Sequence, residues 1–472
     1  MIFETAYIYI QKWGVISAIE LLIKTWGWIF SPFFFFYTFR YFYKWWIRWE
    51  VWYPEKKWIL LRIIPPKEVK NTFRAMQDVY NILFGIHDGP NWREQWCEGE
   101  LTGGPFWISW EMVSIGGKIA FYIRCLAVHR GLIEDTLYSH FPEIEIQLAE
   151  DYTQKVPQDV PNKDWDLYSE DYTTIRDQAL PFKTYPFFDE KPESPQTEDV
   201  RIDPLDSMLE AMARMNPAEQ LWFQMVTAPI LPGDTRFNCF AEGKALINKI
   251  AQRPSEKKNG GVSVLKAIIN FFLWGDIETP KEEKPADLLS APELRLISGE
   301  KDKIKAIENK ISQQGFKTWM RIVYLYKRNE PYFKGNYKII RSYFNHFVHS
   351  DWNGLVFWGS TRSRIHYWFV DRRLYLRKRK NFRNYVWRLP SLFPRTMDGE
   401  PMFEKGIVSR SPGLRGTAVF CSEELATIYH FPYKISPVIA PAILPIEAKK
   451  AGPPVGLPIE EGSAGSSAVA GE

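Results

Sequence analysis

Apolar and polar positions between residues 58 and 152 alternate in a way that predicts a small unit of four strands and two helices. The elements follow in the order β-α-β-β-α-β, and Gly116 and Gly117 favour a hairpin between the two middle strands. This order is typical of the split βαβ, or ferredoxin-like, arrangement. The predicted elements are strands at 58–64, 106–113, 119–124 and 144–148 and helical stripes at 69–83 and 132–141.

A second α/β unit, also ferredoxin-like, is predicted over residues 203–350 with an insertion at 229–298. Asp203 has the side chain of an N-cap and precedes Pro204, a residue that favours the first turn of a helix. The alternation within residues 316–327 is the strongest strand signal of the chain. Further predicted elements are a strand at 220–226, helices at 242–251 and 262–274 within the insertion, and helices at 303–313 and 337–347.

The predicted fold class is α+β: an N-terminal membrane helix, two ferredoxin-like units of which the second carries the insertion, a basic segment and a disordered tail. The acidic, proline-rich stretch at 153–202 is interpreted as an extended linker, with one strand at 180–188. The predicted divisions are the membrane anchor with its aromatic belt (1–52), the first unit (53–152), the linker (153–202), the second unit (203–350), the basic aromatic segment (351–395), a docking region (396–445) and the tail (446–472).

The first 60 residues hold many of the 20 Trp, 23 Tyr and 32 Phe of the chain, which indicates a bilayer interface. Residues 26–39 carry no charge, and cations follow them, so we expect a single-pass anchor near 17–39 with the bulk of the chain on the cytoplasmic side of the inner membrane. The alternative is a helix that lies in the interface. The predicted anchor residues are Trp26, Trp28, Ile29, Phe33, Phe34, Phe35 and Phe36.

Charge is balanced overall, with 60 Lys and Arg against 56 Asp and Glu, so a histone-like protein is excluded. Residues 362–388 nevertheless hold ten Lys or Arg and one acid, Asp371, interleaved with aromatic residues. Such a segment suits nucleic acid, anionic lipid, or an acidic protein surface that includes the chain's own acidic linker. The candidate contact residues are Arg372, Arg373, Arg377, Lys378, Arg379 and Lys380.

Motifs for catalysis are scarce, and a non-enzyme is favoured. The sequence contains no G-x-x-x-x-G-K-[ST], G-x-S-x-G or H-E-x-x-H pattern, and its four cysteines are dispersed. We therefore predict no catalytic residue, no metal ligand and no cofactor. The alternative enzyme would be a metal-dependent transferase that uses the D-x-D pair Asp164 and Asp166.

Several stretches resemble the N-terminal, non-ATPase region of type IV secretion and conjugation coupling-type ATPases from candidate-phylum bacteria. They include SEELATIYHFP (422–432), KKAGPPVGLPI (449–459), WEMVSIGGKIAFYIR (110–124), GEKDKIKAIENKISQQGF (299–316) and RRLYLRKRK (372–380). In fused relatives the ATPase would begin near GLPIEEG, whereas this chain continues in low-complexity residues, so it is interpreted as a stand-alone subunit.

The resemblance implies a membrane-anchored scaffold that recruits a separate hexameric P-loop ATPase, with DNA and a second copy of the chain as further possible partners. Strand edges of the small units and the helix at 422–431 are the candidate docking surfaces. The alternative function is a membrane-associated nucleic-acid-binding protein. The predicted docking residues on this helix are Glu424, Leu425, Ile428, Tyr429 and Phe431.

Overall fold

The computed structural model describes residues 15–66, 68–69, 72–87, 91–98, 107–188, 203–230, 239–251, 297–359, 361–388 and 418–433. These residues form an α+β structure with one antiparallel sheet. Its strands are β1 (Trp58–Ile64), β2 (Ile108–Ile115), β3 (Lys118–Leu126), β4 (Glu145–Ala149), β5 (Trp165–Thr174), β6 (Glu219–Pro229), β7 (Gly315–Lys327), β8 (Leu355–Phe357) and β9 (Ala418–Cys421). The longer helices are α1 (Val15–Trp46), α2 (Thr72–Leu83), α3 (Arg130–His140), α4 (Pro204–Ala213), α5 (Cys239–Ile250), α6 (Ser298–Ser312), α7 (Lys338–Asn345), α8 (Val370–Val386) and α9 (Ser422–Ile428).

Strand order divides the sheet into two halves with the same connectivity. The order is β4-β1-β3-β2-β6-β7-β5-β8, and β9 adds to β7 beside this path. In the first half the chain runs β1-α2-β2-β3-α3-β4, and in the second it runs β5-α4-β6-β7-α7-β8, with α5 and α6 between β6 and β7. Strands β2 and β6 pair antiparallel from Ile108 opposite Thr227 to Ile115 opposite Gln220, so the halves form one continuous sheet.

Local signals in the first half predicted its elements closely. Strand β1 has the expected bounds, and the helical stripes coincide with α2 and α3 to within a few residues. Gly116 and Gly117 have φ values of 58° and 82°, in the left-handed region that favours glycine, so the hairpin between β2 and β3 is confirmed. The cap at Asp203 is also confirmed, because its carboxylate accepts a hydrogen bond from the Leu205 amide at 2.8 Å.

The interpretation of residues 153–202 as a linker is wrong for part of that stretch. Strand β5 lies inside it and pairs with both β7 and β8, so it belongs to the sheet. Residues 180–188 form no strand, and the structure has a short 3₁₀ turn at Tyr185–Phe187 instead. The second half of the sheet therefore begins near residue 165 rather than at residue 203. The predicted helix at 262–274 and the tail at 446–472 lie outside the described residues.

Alternate strand residues point to opposite faces of the sheet, and each face has its own cover. On the first face, helices α2, α3, α4, α7 and α9 bury one large apolar cluster that includes Trp110 and Phe223. On the second face, a smaller cluster that includes Val113 and Trp222 lies under α8 and the segment at 152–160. Both faces of this sheet are therefore covered by the chain itself.

Helix α1 corrects the prediction of a membrane-spanning anchor. Within the described ranges, no helix combines the length and the apolar character that crossing a bilayer requires. In α1 the uncharged stretch lies between Lys24 and Arg40, which is less than the roughly 20 residues needed. Near its C-terminal end, Tyr43 donates a hydrogen bond to the Trp96 carbonyl at 2.8 Å. A π-helical segment, Ile47–Trp52, connects α1 to Tyr53 and the sheet.

Candidate functional site

Helix α8 contacts the sheet through one side. Phe382 and Tyr385 are buried there, and the Tyr385 ring lies 5.4 Å from that of Trp222. Between these rings and the start of the helix, the Asn381 amide donates to the Ser169 hydroxyl at 2.8 Å and to the Thr361 carbonyl at 2.7 Å. These contacts fix which side of α8 faces the protein and which side faces outward.

A buried polar cluster holds the C-terminal end of α8. We call it the Arg388 cluster, and it consists of Arg388, Glu111, Asp151, Tyr152 and Tyr385. The Arg388 guanidinium donates to Glu111 at 2.9 Å and to Asp151 at 2.6 Å, and the Tyr152 hydroxyl donates to Glu111 at 2.7 Å. Burial alone would raise the pKa of Glu111, but the charge and hydrogen bonds of Arg388 outweigh it and lower that pKa. Arg388 and Glu111 are both 0% exposed, so we assign the cluster a role in stabilising the fold.

Acids of β5 supply counter-charges for cations that come later in the chain. The Asp166 carboxylate pairs with Lys378 at 2.6 Å and with Arg328 at 3.3 Å. Glu170 is fully buried and accepts a hydrogen bond from Arg341 at 2.8 Å. Sequence reasoning missed these pairs because the partners lie far apart along the chain. One signal in the sequence could have indicated strand β5: the segment WDLYSEDYTT contains strand-forming residues among its acids.

The candidate contact residues of the basic segment divide between two environments. Lys378 pairs with Asp166, and the Arg377 guanidinium donates to the Arg362 carbonyl at 3.0 Å, so both side chains are engaged within the protein. Burial lowers the pKa of Arg377, and so does the neighbouring charge of Arg373. Burial also lowers the pKa of Lys380, which is partly covered. Among these inward-facing cations, Lys378 pairs with an acid of the stretch that was predicted to be a linker, as the intramolecular alternative expects.

The other side of α8 is an exposed cationic surface, which we call the outer cationic face. Leu376 is 54% exposed on this face and Trp387 is also exposed at its end, so apolar groups lie among the cations. Within the described part of the chain, its arginines form no ion pair with a carboxylate. The exposed arginines of α8 are Arg372, Arg373, Arg379 and Arg383.

Three aromatic residues project before the first turn of α8, and we call Tyr367, Trp368 and Phe369 the ring tip. Trp368 is 81% exposed and Phe369 is 80% exposed. Their φ values of 45° and 49° lie in the left-handed region, which costs a residue with a Cβ about 1–2 kcal/mol. Arg373 donates to the Tyr367 carbonyl at 2.7 Å and to the Trp368 carbonyl at 3.3 Å, which stabilises this backbone.

The predicted anchor residues lie on α1 with mixed exposure. Trp28 is 69% exposed, Phe36 is 62% exposed, and Phe35 is exposed as well. Trp26 is at the boundary of exposure and Ile29 is half-buried. Residues Phe33 and Phe34 lie within the same helix. Helix α1 therefore presents large apolar side chains at its surface.

The predicted docking residues near the C-terminus are buried, which corrects that prediction. Glu424, Leu425, Ile428, Tyr429 and Phe431 are each 0% exposed, because α9 packs against α2 in the core of the first face. Glu424 pairs there with Lys310 at 2.9 Å. In this conformation the five side chains stabilise the fold and offer no surface to a partner.

The Asp164 and Asp166 pair has no geometry that favours a metal. Asp164 is exposed, whereas Asp166 already interacts with two cations and accepts from the Tyr326 hydroxyl at 3.2 Å. Across the described residues, no group of three or more His, Cys, Asp or Glu side chains could hold an ion. Cys97, Cys125 and Cys421 are free thiols, of which only Cys97 is exposed.

Fold and site together define an α+β protein that presents a cationic helix from one face of a single antiparallel sheet. Comparison of the sequence with protein-family models and with curated proteins gave no match.

Proposed function

We propose that this protein is a non-catalytic scaffold of a type IV secretion-like or conjugative transfer machine. In this proposal α1 attaches the protein to the surface of the cytoplasmic membrane, where the body holds a separate hexameric ATPase. We infer that the body consists of two ferredoxin-like units joined through β2 and β6. The observation that carries the proposal is the set of large apolar side chains exposed along α1.

Exposed rings on α1 favour a lipid interface as its environment. Trp28, Phe36, Phe39 and Trp46 are all exposed, and Arg40 lies among them. Contiguous apolar surface of this kind marks a membrane or partner interface, and Trp with Arg is typical of the headgroup region. Helix α1 is about 48 Å long at 1.5 Å per residue over its 32 residues, which gives an extended contact if it lies along the surface.

The edge of the sheet at β4 is the surface that we propose for the ATPase. Strand β4 is the last strand at its end of the sheet, and Leu148 on it is exposed. An open strand edge can accept a strand from a partner by backbone hydrogen bonding. This edge replaces the buried residues of α9 as the docking surface.

Vesicle flotation of the full chain tests the attachment through α1. Replacing Trp28, Phe36 and Phe39 by Ser should weaken partitioning onto phosphatidylcholine vesicles by about a hundredfold or more, because each ring loses its apolar burial. The matched control replaces Phe333 and Val128, which are exposed apolar residues elsewhere on the body, by Ser. Equal partitioning of wild type and the α1 variant would contradict the proposal.

Co-purification tests the docking surface for the ATPase. The full chain is co-expressed with a hexameric P-loop ATPase of the proposed class, and Leu148→Lys is compared with wild type. A lysine on an edge strand opposes strand addition, so we expect the ATPase to be lost from the purified complex. Retention of the ATPase by the variant would rule out the β4 edge as the docking surface.

A further inference from the structure

Four arginines on the outer cationic face have no carboxylate partner among the described residues, so this surface needs an explanation beyond folding. The inward cations of the same segment all have partners, such as Asp166 for Lys378 and Glu111 for Arg388. Positions 372, 376, 379 and 383 follow one another at intervals of three or four residues, so they lie on one side of α8. This side faces outward, and the paired cations face inward. A polyanionic surface is the partner that this charge fits.

Apolar groups among the cations favour lipid over nucleic acid. Leu376 is 54% exposed between Arg372 and Arg379, and the ring tip adds Trp368 and Phe369 at one end of the helix. A headgroup layer offers anions above and acyl carbon below, so it accommodates both kinds of side chain. A phosphodiester strand offers no matching environment for Leu376.

The sheet itself gives a second reason to favour lipid. Small four-stranded domains that bind single-stranded RNA stack bases on aromatic residues of an open sheet face. Here that face is occupied, because α8 buries Phe382 and Tyr385 against Trp222. Bases therefore have no access to the rings of the second face.

Helix α8 also has the position that a second membrane contact would require. It extends about 25 Å at 1.5 Å per residue, from the ring tip to Trp387. At that end the Trp387 ring stacks on Tyr53 with centroids 5.6 Å apart, and the Tyr53 hydroxyl donates to the Trp387 carbonyl at 2.9 Å. Tyr53 directly follows the π-helical segment that continues α1, so the base of α1 adjoins one end of α8.

We propose that the outer cationic face and the ring tip bind anionic lipid headgroups, so that α8 lies on the same membrane surface as α1. The proposal rests on the proposed function, since it assigns the lipid class that the scaffold recognises. Helix α1 supplies attachment that is insensitive to lipid charge, and α8 supplies a preference for anionic lipid that salt weakens.

Flotation of the full chain with two kinds of vesicle tests this proposal. Wild type should partition more strongly onto vesicles that contain phosphatidylserine than onto phosphatidylcholine alone, and high salt should remove the difference. Replacing Arg379 and Arg383 by Ser should weaken binding to the anionic vesicles about thirtyfold, at about one kcal/mol per cation, and leave neutral vesicles unaffected. The matched control replaces two exposed lysines of α6, Lys301 and Lys305, by Ser and should bind as wild type does.

A second variant tests the ring tip separately. The double variant Trp368→Asn and Phe369→Asn introduces residues that tolerate the left-handed backbone. The ring tip should therefore retain its backbone conformation without its rings. We expect weaker binding to both kinds of vesicle at high salt. Thermal melting of each variant should match wild type, because all the replaced side chains are exposed.

Two results would overturn the proposal and spare the proposed function. One is equal binding of wild type to neutral and anionic vesicles, with the α8 variant unchanged. The other is loss of binding to a single-stranded oligonucleotide in the Arg379 and Arg383 variant while its vesicle binding stays intact, which would assign the face to nucleic acid. Failure of wild type to bind either kind of vesicle would instead remove both proposals.

Discussion

The two faces of the sheet are covered by helices in different ways. Five helices cover the first face mainly with apolar side chains such as Met76 and Leu209, beside ion pairs such as that of Arg341 with Glu170. One helix covers the second face, and beside its buried rings it brings Arg388, Lys378 and Asn381 to polar partners on or beside the sheet. Apolar contacts tolerate small shifts, whereas hydrogen-bonded charges depend on distance and direction. The difference indicates that polar partners set the position of α8.

Removal of Arg388 should have the largest effect on stability, because it removes the central polar contact of α8. Arg388→Met leaves Glu111 buried without its cation, so we expect a loss of about 4 kcal/mol in the free energy of unfolding. Urea unfolding measures the loss. Arg383→Met, one turn earlier on the outer face, is the control and should change stability by less than about 0.5 kcal/mol. Similar stabilities for the two variants would show that the Arg388 cluster does not hold α8.

A cavity on the first face should have a somewhat smaller effect. Leu425→Ala removes a fully buried side chain of α9 and should cost about 3 kcal/mol in unfolding free energy. The exposed Leu148→Ala serves as the control in the same urea titrations. A cost below about 1 kcal/mol would mean that α9 is not part of the cooperative core.

The ion pair of Asp166 with Lys378 is a polar contact of α8 that is only partly buried. Both side chains are 13% exposed, so we expect a coupling energy of about 1 kcal/mol between them. A double-mutant cycle with Asp166→Asn and Lys378→Met isolates this energy. The coupling should shrink as salt increases, and a coupling near zero at low salt would show that the pair does not help to position α8.

The smallest expected effect concerns pH on the first face. Burial, together with the charge of Asp203, raises the pKa of Asp206 to about 6 from the usual 3.8. Because the folded pKa exceeds the unfolded one, this carboxyl contributes stability below pH 4 and loses it as pH rises towards 6. Asp206→Asn should therefore gain about 1 kcal/mol over wild type at pH 7, discounted for solvent exposure, and nothing near pH 3.5. Thermal melts at both pH values check the gain, and a pH-independent difference would contradict it.

Sequence reasoning succeeded where the contacts that define an element are local. The apolar run of β1, the glycine turn before β3 and the cap at Asp203 depend on neighbouring residues, and each was predicted. Strand β5 was missed because its acids suggested solvated charge, and their cationic partners follow 150 or more residues later. Local pattern cannot indicate such pairs.

Prediction of the candidate site was limited in the same way, because its geometry depends on residues that are distant in sequence. The density of cations in residues 362–388 was visible, but the division between inward and outward cations depends on how α8 rests on the sheet. Likewise, the segment SEELATIYHF suggested a docking helix, whereas residues such as Leu425 and Ile428 are entirely enclosed by α2 and neighbouring elements. Burial of a short helix on every side depends on packing partners that are distant in sequence.

The pairing of β2 with β6 has a consequence for any attempt to dissect the protein. Each strand covers the open edge of the other along eight matched positions. A fragment that ended between the two halves would expose a long, largely apolar edge with unpaired backbone groups, and such edges recruit further chains. The isolated halves should therefore associate with one another or with themselves, and the smallest fragment that stays monomeric contains both.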